Sequence, residues 1–177
     1  MTRTLILMRH AQAESRPGIS DFDRSLTDHG REQAQQVGLH LAPLGVELAM
    51  VSAAQRARET FAGLGLTGAD GAPVRAEYMK ALYDASPSTI TQRISETPDG
   101  INALLVLAHA PGIPSLAANF TWAASHREAD LMQCAFPAAS FAIFDVDCVW
   151  SELAAFDAFD YADQQSSGVS PVRPRGK

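Results

Sequence analysis

Residues 5–10 constrain the fold of this chain more than any other segment. Four consecutive apolar residues end abruptly in Arg9 and His10. A short, continuous apolar run is typical of a parallel strand that is buried on both faces of a sheet. In open α/β sheets, ligands bind at the carboxyl ends of such strands. A cation and an imidazole at the end of the first strand therefore indicate an anion site that contains a nucleophile.

Length and composition limit the function classes. The 177 residues suffice for one domain with a substantial core, and 46% hydrophobic with 19% charged residues is a globular balance. The net charge is −6 and no basic stripe is present, so we expect no nucleic-acid partner. We also expect no membrane contact and a cytoplasmic location, because the chain has neither a signal-peptide pattern nor an apolar run of membrane-spanning length. Cys134 and Cys148 are expected to be buried, reduced thiols.

Apolar segments alternate with helical patterns along most of the chain. This alternation predicts an α/β fold with a mainly parallel sheet. Strands are predicted at residues 4–8, 48–52, 74–79, 103–108, 140–146 and 148–153, the last two joined by a turn at Asp147 at a sheet edge.

Helix signals lie between these strands. Thr27 has the features of an N-cap, and apolar residues follow it at three- and four-residue spacing. Helices are predicted from Thr27 to about residues 43–45, over 53–63, from Ser86 or Ser88 to about 96, and from 113 onward. Residues 1–163 are predicted to be one domain, and residues 164–177 a mobile tail.

Three predicted strand ends carry matching chemistry. The second strand leads into Ser52-x-x-x-Arg56, which places Arg56 about one turn into a helix, with Thr60 a further turn along the same face. The fourth strand ends next to His109. Because parallel strands bring their carboxyl ends to one edge of a sheet, two arginines and two histidines are expected to converge there. The N-termini of the following helices would add oriented N–H groups.

Phosphoryl transfer is the chemistry that suits this set of side chains. Fixed cations stabilise the charge on a phosphoryl group in transfer, and the planar guanidinium can bind two of its oxygens at once. A neutral imidazole nitrogen is a competent nucleophile, and its phosphorylated form can be hydrolysed by water. We therefore expect two-step hydrolysis with no metal and no cofactor. A zinc site built on His10 and His109 is disfavoured, because the two arginines would repel a cation.

The pattern resembles the histidine phosphatase superfamily, which is also called phosphoglycerate-mutase-like. The loop from Asp21 to Ala34 and the segment 81–86 are similar to the short SixA-type phosphohistidine phosphatases in particular, and the resemblance runs from about residue 4 to residue 150. The remaining motifs that carry it are Arg9-His10-Ala11, Ser52-x-x-x-Arg56-Ala57-x-x-Thr60 and His109-Ala110-Pro111-Gly112.

The resemblance implies a three-layer α/β/α fold and a role for each matching residue. His10 would be the nucleophile that becomes phosphorylated, while Arg9, Arg56 and His109 would form the phosphate pocket. The chain departs from the family pattern at two positions. Ala11 stands where glycine is usual, and Ala110 stands where asparagine is common.

The general acid is not identified by the motifs. Larger members of the family use a glutamate after the third strand, where this chain offers Asp84 and Glu77. Phosphohistidine releases an imidazole, a better leaving group than an alkoxide, so a weak acid favours phosphoramidate substrates. Asp21 and Asp23 are expected to cap a turn or to pair with Arg24, with a substrate role less favoured.

The sequence therefore predicts a phosphatase that acts on protein phosphohistidine. Residues 56–109 are too few to build a large lid, and an open pocket suits a phosphorylated side chain of another protein. Two alternatives stay open. One is a broad phosphomonoesterase for small phosphoesters, and the other is a phosphate-binding module without turnover.

Overall fold

One mixed sheet of six strands lies at the centre of the molecule. The computed structural model describes residues 2–122, 124–156 and 172–175. The strand order is β3-β2-β4-β1-β5-β6; the first four strands are parallel, β5 is antiparallel to β1, and β6 is antiparallel to β5. The predicted mainly parallel sheet is confirmed. The strands are β1 (Arg3–Arg9), β2 (Leu48–Ser52), β3 (Arg75–Met79), β4 (Ala103–Ala108), β5 (Phe141–Val146) and β6 (Val172–Pro174).

Helices cover both faces of this sheet, as the three-layer prediction requires. Residues of the first two helices pack into one apolar cluster, and residues of the third and fourth pack into a second cluster on the opposite face. The fifth helix packs against the fourth. The helices are α1 (Asp28–Leu41), α2 (Gln55–Leu64), α3 (Pro87–Ser95), α4 (Gly112–Trp122) and α5 (His126–Cys134).

Strand β1 is buried on both of its faces. Leu5 and Leu7 belong to the cluster under α3 and α4, while Ile6 and Met8 belong to the cluster under α1 and α2. All four side chains are fully buried. Each such burial contributes about 1.5–3 kcal/mol relative to an exposed side chain. The apolar run ends where the sheet ends, which places the polar residues that follow it at the sheet edge.

Helix α1 is anchored to the loop that follows His10. The Oγ1 of Thr27 accepts the amide of Gly30 at 2.9 Å, which confirms the predicted N-cap. The Thr27 amide donates to the Gln12 carbonyl at 3.0 Å, and the Gln33 side chain accepts the Gln12 amide at 2.9 Å. Gly30 lies so close that a Cβ there would overlap the Gln12 carbonyl oxygen. The first turn of α1 therefore fixes the backbone just beyond the first strand end.

The prediction of a strand at residues 148–153 is wrong. The chain forms a 3-10 helix there, Trp150–Phe156, and Trp150 and Leu153 are buried in the cluster beside α3. Trp150 and Leu153 are three residues apart, so both lie on one face of the helix. In so short a stretch, the apolar pattern of a helix cannot be distinguished from that of a strand. The indole N–H of Trp150 donates to the Ile101 carbonyl at 2.7 Å.

Helix α5 is absent from the sequence prediction. Its apolar residues are few, and the Oγ of Ser125, which accepts the Glu128 amide at 3.3 Å, is its main local signal. Cys134 closes this helix and is exposed, so its predicted burial is wrong; Cys148 is half-buried.

The carboxyl-terminal segment is described only in part. Of the segment predicted as a mobile tail, residues 172–174 form β6 beside β5, and the Arg175 side chain donates to Asp145. The predicted domain boundary at residue 163 and the other residues of that segment, 164–171 and 176–177, lie outside the described residues. Among the helices described, none is both long enough and apolar enough to cross a membrane.

We predict that Gly30→Ala destabilises the protein by about 1–3 kcal/mol, because the added methyl forces α1 away from the Gln12 carbonyl. In an exposed helix the same change is stabilising by up to about 1 kcal/mol, so the sign of the effect is diagnostic. Urea unfolding measures the difference. Gly100→Ala is the matched control, since its methyl meets no atom within 4 Å. Equal unfolding free energies for both variants would contradict the predicted contact.

Candidate active site

The carboxyl ends of β1 and β4 bring two histidines together. The His10 amide donates to the Ala108 carbonyl at 3.0 Å, which joins the two strands at their carboxyl ends. The rings of His10 and His109 lie 5.1 Å apart between centroids. Both imidazoles line a pocket of about 430 Å³ at this edge of the sheet, together with Arg9, Arg56 and several loop residues.

The hydrogen bonds of His10 define which ring nitrogen can act as a nucleophile. Its Nδ1 lies 2.7 Å from the Ala11 carbonyl oxygen. Because a carbonyl oxygen can only accept, the neutral ring carries its proton on Nδ1 and keeps a lone pair on Nε2. Burial, together with the charges of Arg56, Arg9 and Arg24, lowers the pKa of His10 to about 4. The imidazole is therefore neutral at physiological pH, with Nε2 facing the Arg56 guanidinium, whose Nε lies 3.2 Å away.

His109 is held by the residue that ends β2. Its Nε2 lies 2.7 Å from the Oγ of Ser52, and both side chains are buried. The Nδ1 of His109 is buried and has no hydrogen-bond partner among the described residues. Burial is the largest cause that lowers the pKa of His109 to about 3, followed by the charges of Arg56 and His10. This ring is also neutral at physiological pH.

The two arginines approach the pocket from different elements. Arg9 follows the last apolar residue of β1, and its Nη1 donates to the Phe136 carbonyl at 2.8 Å. Its guanidinium has a lowered pKa because of burial and the nearby charge of Arg56. Arg56 stands in the first turn of α2, and its side chain is 6% exposed. Two like charges in one partly buried pocket repel each other, and an anionic partner offsets part of that cost.

Asp21 is the anionic partner that the described residues provide. Arg56 donates through Nη1 to the Asp21 carbonyl and through Nη2 to its Oδ2 at 3.0 Å. The Asp21 carboxylate also accepts from Arg24 at 2.9 Å and from the Tyr83 hydroxyl at 2.7 Å. These three donors, Tyr83 first, hold the pKa of Asp21 well below its ordinary value. Asp21 is thus a fixed negative charge on Arg56.

Comparison with known proteins identifies the family. The model of the histidine phosphatase superfamily, branch 1, matches residues 5–97, which is more than half of the chain. The chain belongs to the histidine phosphatase superfamily. The match includes Arg9, His10 and Arg56, and His109 lies beyond it.

Three individual proteins are similar to this chain in sequence or in structure. A candidate phosphohistidine phosphatase SixA from Nakamurella multipartitia has a TM-score of 0.79 and 26% identity, covering 99% of this chain and 95% of that one. A protein histidine phosphatase SixA complexed with tungstate shares the fold, with a TM-score of 0.63 at 23% identity over 81% of this chain and 88% of that one. An uncharacterized protein of Mycobacterium tuberculosis is 37% identical over 112 residues, which is 62% of this chain and 67% of that protein.

The motif around Arg56 has a structural reason at Ser52, Arg56 and Thr60. Ser52 holds His109, and Arg56 faces His10. Thr60 accepts the Ala11 amide at 3.0 Å through its Oγ1 and donates to the Arg56 carbonyl at 2.7 Å. Spacing of four residues along α2 therefore ties the backbone of the first strand end to the helix that carries the second arginine.

The two candidate acids from the sequence have different positions. Asp84 lines the pocket and has a positive φ of 56°, in the left-handed region. Glu77 lies on β3, pairs with Arg75 at 2.6 Å, and is not among the residues that line the pocket. The Asp21–Arg24 pair expected from the sequence is present. Sequence reasoning missed the contacts of Asp21 with Arg56 and Tyr83, although both loops were singled out by the resemblance.

Within the part of the chain that the structure describes, no group of three or more His, Cys, Asp or Glu side chains is placed to hold a metal ion.

We predict that the imidazoles of His10 and His109 stay neutral until the pH approaches about 4 and about 3. In the unfolded chain both titrate near 6.5, so the unfolded state binds more protons below that pH. The free energy of unfolding therefore falls as the pH falls from about 6.5 toward 4, by up to about 1.4 kcal/mol per pH unit for each histidine.

NMR titration of the ring resonances and urea unfolding at several pH values measure the two effects. Arg56→Gln should raise both histidine pKa values, because the charge of Arg56 is among the causes that lower each of them. A His10 midpoint near 6.5 in the unmodified protein would contradict the prediction.

Proposed function

We propose that this chain is a phosphohistidine phosphatase in which His10 accepts the phosphoryl group through Nε2. The observation that carries the proposal is the state of His10. Its ring is neutral, its Nδ1 proton is engaged by the Ala11 carbonyl, and its Nε2 lone pair faces Arg56 inside the pocket. A neutral nitrogen beside two guanidinium groups is the arrangement that attack on a phosphoryl group requires.

In the first step, Nε2 of His10 forms a bond to phosphorus as the bond to the substrate's leaving atom breaks. Arg56 gives up its 3.2 Å hydrogen bond to Nε2 and, with Arg9 and His109, binds the phosphoryl oxygens. When the substrate is phosphohistidine, its ring is protonated on the other nitrogen and departs as neutral imidazole. The electron pair of the broken P–N bond stays on that ring.

In the second step, water attacks phosphorus and the Nε2–P bond breaks. The electron pair returns to Nε2, the proton lost by water passes to solvent, and orthophosphate leaves. His10 is then neutral again and keeps its Nδ1 proton on the Ala11 carbonyl throughout. Arg9 and Arg56 supply the positive charge that a metal ion supplies in other phosphatases, and the cycle uses no metal.

The acid–base state of the pocket supports phosphohistidine over alkyl phosphoesters. An alkoxide leaving group needs a proton, yet Asp21 is held ionised and His109 is neutral with a pKa of about 3. The Tyr83 hydroxyl donates a hydrogen bond to Asp21, and this bond raises the pKa of Tyr83, so the hydroxyl keeps its proton. Asp84, which lines the pocket, is the remaining candidate for the acid that an alkoxide leaving group would need. An imidazole that leaves as a neutral ring makes no demand on any of these groups.

A phosphate-binding module without turnover is the second candidate. It is favoured by the hydrogen bonds of Arg56, because Nη1 and Nη2 of its guanidinium both already donate to Asp21. A phosphorylated partner would compete with Asp21 for these donors and could bind without reaction. Release of orthophosphate distinguishes the two functions, because a binding module releases none.

We predict that brief exposure to a phosphohistidine peptide gives an acid-labile phosphoryl adduct on the protein and releases orthophosphate. His10→Ala should abolish both, because it removes the nucleophilic nitrogen. Intact-mass analysis before and after acid treatment detects the adduct. His40→Ala is the matched control, since His40 is an exposed histidine of α1 that bonds the Gln36 carbonyl.

Two outcomes would contradict this prediction. Peptide binding without adduct or release would favour the binding module. Equal kcat/KM for simple sugar phosphates and phosphohistidine would favour a broad phosphomonoesterase.

We predict that Asp21→Asn tightens the binding of orthophosphate by about fivefold. The substitution removes a negative charge that holds Arg56, and two unit charges about 4 Å apart interact by about 1 kcal/mol in water. Titration calorimetry at fixed ionic strength measures the dissociation constant. Asp23→Asn is the control, because Asp23 contacts Ser20 and not Arg56. Weaker binding in Asp21→Asn would show that Asp21 acts mainly by positioning Arg56.

A further inference from the structure

A groove of about 450 Å³ opens beside the candidate active site and is not used by the proposed chemistry. It lies between the start of α4, the end of α5 and the turn that follows α5. We call it the apolar groove. The side chains that give it its character are those of Pro111, Pro114, Cys134, Ala135, Phe136 and Pro137.

The apolar groove is continuous with the phosphate pocket. Arg9 and Ala110 line both cavities. Arg9 also donates to the Phe136 carbonyl, so the guanidinium that faces the pocket is fixed to the wall of the groove. A molecule whose phosphoryl group lies against His10 can therefore extend past Ala110 into the groove without leaving the protein surface.

The chemistry of the apolar groove differs sharply from that of the pocket. Arg9 is the charged residue among the described residues that line it, and Ser115 and Gln133 are the uncharged polar ones. Proline, alanine, phenylalanine and the thiol of Cys134 form the rest, and Phe136 is half-buried against the core cluster beneath α4. Rigid apolar walls with few polar groups favour an apolar ligand group over a hydroxyl-rich sugar, whose hydroxyls would lose their water without replacement.

We infer that the apolar groove is a specificity subsite that binds apolar residues next to the phosphorylated histidine of a protein substrate. The inference rests on the proposed function, since it assigns the surface that recognises the substrate of that same site. A phosphorylated imidazole alone would occupy only the phosphate pocket, and the apolar groove would stay exposed to water. A polypeptide substrate could also place neighbouring side chains in the groove, so it fits the two cavities better than a small phosphoramidate does. Partial burial of one leucine side chain there would favour binding by about tenfold.

The test compares three substrates: free phosphohistidine, a short peptide with glycines on both sides of phosphohistidine, and the same peptide with leucines instead. The subsite predicts that kcat/KM is highest for the leucine peptide, by about tenfold over the glycine peptide. Ala135→Glu places a charge in the groove at an exposed position, and it should lower the leucine-to-glycine ratio to about one. Ala62→Glu is the matched control on the exposed surface of α2 and should leave that ratio unchanged.

Cys134 offers a second measurement that does not depend on the folding of a variant. It is exposed in the groove, whereas Cys148 is half-buried and its thiol pKa is raised by burial. A bulky maleimide should react first at Cys134, and should reduce the leucine-to-glycine ratio in the otherwise unmodified protein. Cys134→Ser treated in the same way should keep the ratio.

The outcomes separate this inference from the proposed function. Hydrolysis of all three substrates with equal kcat/KM, unaffected by Ala135→Glu and by the maleimide, would overturn the subsite and leave the phosphatase in place. Hydrolysis of none of them would overturn both. A preference for the glycine peptide would also overturn the subsite, because it would mean that the groove repels apolar side chains.

Discussion

The parallel pairing of β1 with β4 is the contact on which the candidate site depends. Its register sets Arg9 opposite Ala108, and the His10 amide extends the pairing by one more hydrogen bond at 3.0 Å. Both strands are buried on both faces, so a slip of one residue would turn every apolar side chain toward the wrong layer. The burial that stabilises the sheet thus also fixes the separation of His10 and His109. Position of the reactive groups follows from packing rather than from interactions made within the pocket.

Electrostatics then determine what the assembled groups can do. The chain as a whole carries a net charge of −6, yet Arg9, Arg24 and Arg56 are brought to one pocket. Partial burial next to these cations keeps both histidines neutral, which preserves a nucleophilic lone pair at physiological pH. Asp21 offsets part of the positive charge by accepting a hydrogen bond from Arg56. A phosphoryl group would compete with Asp21 for this guanidinium. A carboxylate is a weaker competitor than a phosphoryl dianion because it carries less charge.

Most of the sheet was predictable because its strands carry continuous apolar runs. Leu48–Ser52 and Ala103–Ala108 have the predicted limits, and the helix cap at Thr27 is where its sequence places it. Errors occur where local pattern is weak. The stretch 148–153 has too few residues to separate a period of two from a period of three, and α5 has a mostly polar surface that gives little periodicity. The secondary structure of segments at the edge of the fold depends on the elements against which they pack.

The sequence by itself determined the chemistry of the site: which side chains end the buried strands, and that Arg9, His10, Arg56 and His109 share one edge. These facts follow from the apolar length of each strand, which is local, and from the alternation of strands and helices, which predicts that the strands are parallel. Only the tertiary structure decided which groups contact each other across loops. It brings Asp21 and Tyr83, 62 residues apart in the chain, to within 2.7 Å, and it sets the apolar groove beside Arg9. Such contacts depend on how loops pack against the finished sheet, and no period or short motif in the chain encodes that packing.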